Sequence, residues 1–368
     1  MSNDHSLPPR KGKRQADHSP KAAPPRKPRR LGRIVFGFLA LVIIALASYA
    51  GYLYYKADRN LDKVANPTAS SVPKGQLADT KPIGMLVLGL DTRAESGGLN
   101  TDVMMAAVFN PKSKTATVVS IPRDSDLGLE GYKKQKANAF YAGFLTYARN
   151  KEHLEGDEAR QYAKDHMKEM MQTFFDVPID YTVMLDFQGF VDVVDALGGV
   201  DVYVDQDMRY WDKADGTNID LKKGEQTLKG EDALGFVRYR KSRNNITAPS
   251  SDFERNDRQD RVLGAILDKL KSFGSVAKLG GVMDAVGDNM KTDIPRDQIN
   301  NMISTYFGIT KKDVRFIALT GEWKSPYVYL DQAKLEEAKA ALKEELLPEG
   351  RPSAPMATQP ASESPDNG

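Results

Sequence analysis

The sequence contains no cysteine. That excludes disulfides, thiolate metal sites, a cysteine nucleophile and a lipid-modified cysteine. A domain of this size folds without disulfides, so the absence does not argue against export. Histidine is scarce, with four in 368 residues. His5, His18, His153 and His166 show neither HExxH nor HxxxH spacing, which removes the common zinc arrangements. There is no G-x-S-x-G elbow to support a Ser–His–Asp mechanism, no Walker loop and no G-x-G-x-x-G turn. Net charge is also nearly absent at +2, but this conceals a split. Residues 1–33 hold ten Lys and Arg against Asp4 and Asp17, about +8, leaving about −6 for the remainder. Any basic site in that remainder is a local cluster, and such a body makes a poor nucleic-acid sleeve.

What is present starts with residues 34–55, an uncharged apolar run long enough to span a bilayer. The basic flank holds the N-terminus in the cytoplasm, and Tyr52, Tyr54 and Tyr55 suit the outer interface. A cleaved signal peptide is the rival reading, with Ala45-Leu-Ala47 and Ser48-Tyr-Ala50 as cleavage-like sites, but the apolar run continues past both. The expected organisation is a disordered basic cytoplasmic tail over 1–31 and a single transmembrane anchor over 32–55. A polar linker over 56–80, an extracytoplasmic domain over 81–347 and a disordered Pro/Ser-rich tail over 348–368 follow.

Within 81–347 the apolar pattern predicts strands over 83–90, 103–109 and 115–121, the last two joined by a turn at Asn110–Lys114. Helical periodicity follows over 138–148 and 157–175. Then come a strand over 181–185, a helix over 187–197 stopped by Gly198-Gly199, and a strand over 200–204. Helices fit 253–273, 276–288, 296–307 and 332–346, with a strand over 314–319. Strands interleaved with helices on this scale predict an α/β domain, a three-layer α/β/α sandwich with a mixed central sheet.

The stretch from Phe236 to Gln259 carries the strongest hint of chemistry. Phe236-Val-Arg238-Tyr-Arg240 reads as a strand that points Arg238 and Arg240 to one face. A helix beginning near Asp252 aligns Asp252, Arg255 and Gln259, and that face continues as Val262, Ile266 and Leu270. Guanidiniums aimed inward need an anion, and a phosphate or pyrophosphate fits best. The alternative is an exposed strand face and a solvated helix start, where arginine sits badly with the helix dipole unless an anion reverses the sign. Asp91 ends the first strand and Asp102 opens the second. They either share a hard cation such as Mg²⁺ or cap separate turns. Arg123, turned out of the sheet by Pro122, serves the site or a surface salt bridge. Lys136 precedes a helix N-terminus, where anions bind, or is simply solvated.

Taken in order, these segments resemble the LytR–CpsA–Psr (LCP) family of bacterial cell-envelope glycopolymer ligases. The resemblance runs over 82–275 through Leu88-Gly-Leu-Asp91-Thr-Arg93, Thr101-Asp102, Ser120-Ile-Pro-Arg123-Asp124, Lys136-Ala-Asn138 and Val177-Pro-Ile-Asp-Tyr181. It continues through Val194-Asp-Ala-Leu-Gly-Gly-Val-Asp-Val202, Gly224-Glu-Gln-Thr-Leu-Lys-Gly230, Ala233-Leu-Gly-Phe-Val-Arg238-Tyr-Arg240 and Asp252-Phe-Glu-Arg255-Asn-Asp-Arg258-Gln259. Each piece alone is weak; their order is specific.

The resemblance implies transfer of a glycopolymer from a polyprenyl-pyrophosphate carrier to peptidoglycan, releasing polyprenyl phosphate at the outer face of the cell membrane. It implies that Asp91 and Asp102 hold Mg²⁺ on the pyrophosphate. Arg123, Lys136, Arg238, Arg240, Arg255 and Gln259 would bind its oxygens, the arginines also offsetting charge in the transition state. Asp252 would orient the arginines or take the acceptor's proton, and Arg93 and Arg258 would add substrate contacts. The expected partners are the lipid-linked glycan, peptidoglycan and the lipid bilayer, with no nucleic acid. The family's lipid lies in an apolar tunnel, for which the apolar faces of 138–147 and 262–270 are the expected walls.

This chain departs from the family pattern in four places. Asn100-Thr101-Asp102-Val103 replaces Arg-Ser-Asp-Thr, Lys136-Ala-Asn-Ala-Phe140 replaces Lys-Ile-Asn-His-Ala, Glu254 replaces a glycine, and Ser125-Asp126 follows Asp124 where a basic residue is frequent. None removes a phosphate or metal contact. A polyprenyl-pyrophosphate hydrolase, an envelope regulator and a non-catalytic envelope-binding protein are the competing readings.

Overall fold

This computed structural model describes residues 72–91, 99–213, 216–242, 247, 249–272, 282, 287 and 289–351, the Asp252 side chain excepted. The chain divides into Met1–Tyr49 and Ala50–Gly368, and every described residue lies in the second unit. The apolar run 34–55, Arg93 and most of the helix expected over 276–288 lie outside the described residues. Among the described residues no helix is long and apolar enough to cross a membrane.

The first part of the body holds β1 (Ile83–Asp91), β2 (Asn100–Asn110), β3 (Thr115–Ser120), β4 (Ser125–Asp126), α1 (Phe140–Asn150) and α2 (Gly156–Phe175). The middle holds β5 (Tyr181–Asp186), α3 (Phe187–Ala196), β6 (Val200–Val204), β7 (Met208–Trp211), β8 (Asn218–Leu221), β9 (Gly224–Leu228), α4 (Gly230–Arg238) and α5 (Asp252–Ser272). The last part holds β10 (Met290–Thr292), α6 (Arg296–Tyr306), β11 (Val314–Ala318), β12 (Gly321–Lys324), β13 (Tyr327–Leu330) and α7 (Gln332–Leu346).

A six-stranded sheet in the order β10-β5-β1-β2-β3-β11 forms the centre. Pairs β1–β2, β2–β3 and β5–β10 are antiparallel, whereas β1–β5 and β3–β11 are parallel, so the sheet is mixed. The antiparallel turn at the end of β2 is set by Asn110, whose Oδ1 accepts from the Lys112 and Ser113 amides at 2.9 and 3.2 Å. Strand alternation separates two faces. Leu86, Leu88, Met104, Ala106 and Val108 pack with α1, α2 and α7 in the largest core cluster. Val87, Val103, Met105, Ala107 and Phe109 turn the other way, toward Leu263 and Leu267 of α5 and Tyr306 of α6. Helices therefore cover both faces, the expected layering.

A second core joins α3 and α4 to the ribbons β6–β9 and β7–β8. Gly230 permits the close approach of α4 to α3: a Cβ there would lie 2.4 Å from the Val191 carbonyl oxygen. Its amide donates to Asp195 Oδ1 at 2.9 Å.

Three expectations are corrected. Phe236–Arg238 is the last turn of α4, not a strand. Ala233, Leu234, Phe236 and Val237 are buried at helical spacing, and that amphipathic face outweighs the local β-propensity of Phe-Val. Residues 72–80, expected as linker, are packed on α6: Ala78 is fully buried and its amide donates to Gln298 Oε1 at 3.1 Å. The body also runs past 347, since Arg351 Nη2 donates to the Asp313 carbonyl at 2.6 Å.

Candidate active site

Register decides where the two aspartates point. Gly89 pairs with Val103 and Leu90 with Thr101, so Asp102 is the extra residue of a β-bulge. Without the bulge Asp102 would share a face with Met104; with it, Asp102 and Val103 both turn to the α5 side. Asp91, opposite Asn100, reaches the same side at the end of β1. Gly89 makes room for this, because a Cβ there would lie 2.8 Å from Val103 Cβ.

Both aspartates sit at one end of a cavity of about 440 Å³. Asn100, Arg123, Arg238, Arg240, Arg255 and Gln259 share that end. Apart from Asp186, which accepts from the Gly189 amide at 2.8 Å at the start of α3, the rest of the lining is apolar, running along β2 through Val103, Met105 and Ala107 to Phe109, and closed by Phe187, Phe190, Val262, Leu263 and Ile266. From Asp102 to Phe109 the strand covers roughly 23 Å at ~3.3 Å per residue. The cavity is thus a long apolar slot with a cationic mouth.

Each arginine reaches the mouth for a local reason. Arg238 ends α4, where a cation suits the negative end of the helix dipole, and its guanidinium stacks on Phe187 with Cζ 4.5 Å from the ring centroid. Arg240 follows two residues past the end of α4, beyond the buried Tyr239. Arg255 lies in the first turn of α5, the unfavourable end of the dipole for a cation. That end is fixed by a capping box: Ser251 N donates to Glu254 Oε2 at 2.6 Å and Glu254 N to Ser251 Oγ at 3.2 Å. Glu254, which replaces a glycine of the family pattern, thus has a structural task. Arg123 follows β3 and donates from Nη1 to Asp102 Oδ1 at 2.5 Å.

The charges are out of balance. Burial, followed by the charges of Arg123 and Arg240, pushes the Arg255 guanidinium down to about 9, with Asp102 and Asp124 offsetting only part. Burial and then Arg123 lower Arg240 as well. A bound polyanion would relieve this penalty, since phosphate oxygens bring further counter-charge to buried guanidiniums.

The remaining sequence candidates lie elsewhere. Arg258, expected as a substrate contact, is fully buried and turned from the cavity. It donates from Nε and Nη2 to the Asp205 carboxylate at 2.8 and 2.6 Å, and from Nη1 to Ser250 Oγ at 2.9 Å. Arg258 is offset from Arg255 by only about 60° around α5, and its partners Asp205 and Ser250 draw it to the neighbouring core. Lys136 does not line the cavity; its Nζ lies 3.2 Å from Asp124 and 5.5 Å from the centroid of Trp323. The wall expected at 138–147 is also corrected: Phe140, Tyr141 and Leu145 pack on the opposite face of the sheet. The wall at 262–270 does line the cavity through Val262, Leu263 and Ile266. Sequence reasoning missed Phe187, and passed over Asp124, a buried carboxylate between Arg123 and Lys136. Its only signal was its place after Arg123.

The LytR_cpsA_psr family pattern matches residues 49–344. The chain belongs to the LytR–CpsA–Psr family. Among relatives, the polyisoprenyl-teichoic acid–peptidoglycan teichoic acid transferase TagV of Bacillus subtilis (strain 168) is 31% identical over 333 residues, covering 86% of this chain and 79% of that protein. The transferase TagT of the same organism is 31% identical over 338 residues, 87% of this chain and 96% of its own length. The solved structure of TagT bound to LIIa-WTA superposes with a TM-score of 0.56 at 29% identity, covering 76% of this chain and 99% of that one. LytR–CpsA–Psr membership, reached independently from ordered motifs, therefore rests on most of the chain.

Proposed function

We propose that this LytR–CpsA–Psr protein transfers a phosphorylated glycopolymer from a polyprenyl-pyrophosphate carrier to peptidoglycan, forming a phosphodiester and releasing polyprenyl phosphate. The observation that carries this reading is the cavity itself. An apolar slot ending in Arg238, Arg240 and Arg255 matches a lipid that ends in a pyrophosphate. The names and bound ligand of TagV and TagT support it.

In this reaction the acceptor hydroxyl oxygen bonds to the glycan-side phosphorus, and the bond to the bridging oxygen breaks. The electron pair leaves on polyprenyl phosphate. Phosphoryl transfer asks mainly for positioning and for cations where charge accumulates. Arg240 and Arg255, already destabilised by burial and mutual repulsion, gain most from the phosphate oxygens. Arg123 holds Asp102 and faces the same oxygens. Gln259 adds a neutral donor. Asp252 remains a proposed orienting group or proton acceptor.

Asp91 and Asp102 suit a Mg²⁺ ion, which takes one or two carboxylates and keeps positions for phosphate oxygens and water. Among the described residues no three His, Cys, Asp or Glu gather as a metal site, so phosphate oxygens and water would have to supply most of the ion's ligands. When bound, the ion would neutralise part of the pyrophosphate charge. The apolar run 34–55 and its basic flank support an anchor with this domain outside the cell membrane.

The test supplies lipid-linked glycopolymer and peptidoglycan oligomers to the detergent-solubilised full chain with Mg²⁺. A glycan–peptidoglycan phosphodiester supports the proposal. Free phosphorylated glycan, with water as acceptor, contradicts it in favour of a hydrolase.

A further inference from the structure

Trp323 is 53% exposed on β12, an outer strand of the small sheet β12-β13-β4. What marks it is its company, an edge where two tyrosines and two lysines gather. Its setting connects it to the arginine cluster. The Lys136 ammonium lies 5.5 Å from the Trp323 ring, Lys136 Nζ lies 3.2 Å from Asp124, and Asp124 lies 3.9 Å from Arg123 Nε. The hairpin is also fixed to that segment through its backbone. Val328 N donates to the Asp124 carbonyl at 2.9 Å, Val328 and Tyr329 pair with Ser125 and Asp126, and Asp126 bridges to Lys136. Around the edge, Lys134 sits 5.2 Å from the rings of both Tyr327 and Tyr329, and Tyr329 is 37% exposed.

We infer that Trp323 and the lysines beside it form the docking surface for the glycan strand of the peptidoglycan acceptor. Two arguments lead there, and the second rests on the transfer reaction proposed above. The first is chemical. A pyranose ring offers an apolar C–H face to an indole, while its hydroxyls and the carboxylates on a peptidoglycan strand meet ammonium groups. Trp323 with Lys136, and Tyr329 with Lys134, supply both kinds of contact side by side. The second is geometric. In phosphoryl transfer the attacking and leaving oxygens lie roughly in line through phosphorus. The leaving polyprenyl phosphate has its lipid in the slot, so the acceptor must arrive from the side of the arginines away from it. Lys136 and Trp323 lie outside the slot lining yet connect to Arg123, Lys136 through Asp124 and Trp323 through Lys136, which suits an approach from outside the slot.

The protein has two tryptophans, Trp211 and Trp323. In the full chain carrying Trp211→Phe, Trp323 is the sole indole and reports directly. Soluble peptidoglycan glycan strands should quench or shift its emission saturably, whereas isolated donor glycopolymer and anionic lipid vesicles should not. In transfer assays Trp323→Ala should raise KM for the acceptor by about tenfold, with kcat and the donor KM unchanged, and Trp323→Tyr should restore most of the loss. An indole that ignores the glycan strands, or that answers equally to donor glycan or vesicles, overturns the inference. Saturable quenching without transfer by the wild-type protein keeps the surface and sinks the proposed reaction instead.

Discussion

Arg123 donates a hydrogen bond from Nη1 to Asp102 at 2.5 Å, while its buried Nε has no hydrogen-bond partner and lies 3.9 Å from Asp124. The guanidinium therefore ties a bulged aspartate to the mouth of the slot and keeps an unused donor on the Asp124 side. Arg123→Ala should lower transfer by about 10²–10³-fold, the usual cost of losing a preorganised charge donor. Arg123→Lys should recover little, because an ammonium cannot reproduce the planar fork. Single-turnover rates check this; wild-type rates in Arg123→Ala would remove Arg123 from the site.

Arg255 and Arg258 sit three positions apart on α5 and should behave in opposite ways. Arg258→Ala leaves the half-buried Asp205 with only Arg261 at 3.7 Å and should destabilise the fold by about 3 kcal/mol, the low end for breaking a buried ion pair. Arg255→Ala removes a cation disfavoured by burial and by Arg123 and Arg240, so it should abolish transfer while leaving Tm unchanged or raised. Thermal denaturation of the two variants side by side decides. A larger Tm loss in Arg255→Ala than in Arg258→Ala would reverse the assignment.

Asp260 accepts from Ser120 Oγ at 2.6 Å, and burial pushes its carboxyl from 3.8 up to about 7, with Asp257 adding to the rise. A carboxyl raised on folding contributes stability that is complete below its unfolded value and lost as pH rises through its folded value. Between about pH 4 and 7 the fold should therefore weaken, by on the order of a few kcal/mol. Asp260→Asn keeps an acceptor for Ser120 and removes the titration. Its Tm should exceed that of the wild type at pH 8, with the gap closing toward pH 4. Parallel Tm curves would contradict the assignment.

Gly89 faces the bulge, and an added Cβ would meet Val103 Cβ at 2.8 Å. Gly89→Ala should displace the bulged pair and with it Asp102, lowering transfer at least tenfold while lipid-free stability falls by only about 1–2 kcal/mol. Transfer rate and chemical denaturation, measured on the same preparation, separate the two effects. Undiminished transfer would show that the bulge tolerates the methyl group.

The helices were legible because periodicity persists over many residues: α7 falls where the pattern placed it, α2 differs by one residue at its start and α5 by one at each end. The short strands β4, β7, β8, β9, β10, β12 and β13 were not, since two to five residues rarely outweigh their neighbours. Phe236–Arg240 was misread as a strand because two apolar residues between arginines suit either element. Its guanidiniums still reach one cavity, since α4 ends at Arg238 and the backbone extends through Arg240. Two facts had no local signal at all. One is the bulge that turns Asp102, which depends on pairing with Gly89 and Leu90. The other is which side of the sheet α1 covers, for an amphipathic helix carries the same pattern on either face.

The central claim is that the slot between β2 and α5 holds a prenyl chain with its pyrophosphate at the arginines. A photoreactive prenyl pyrophosphate, irradiated with the full chain in detergent and mapped by peptide mass, tests it most directly. The account predicts labelling at Met105, Phe190, Val262 or Ile266, lost when unlabelled polyprenyl pyrophosphate competes. Labelling confined to the opposite face of the sheet, at Phe140, Tyr141 or Leu145, would contradict it.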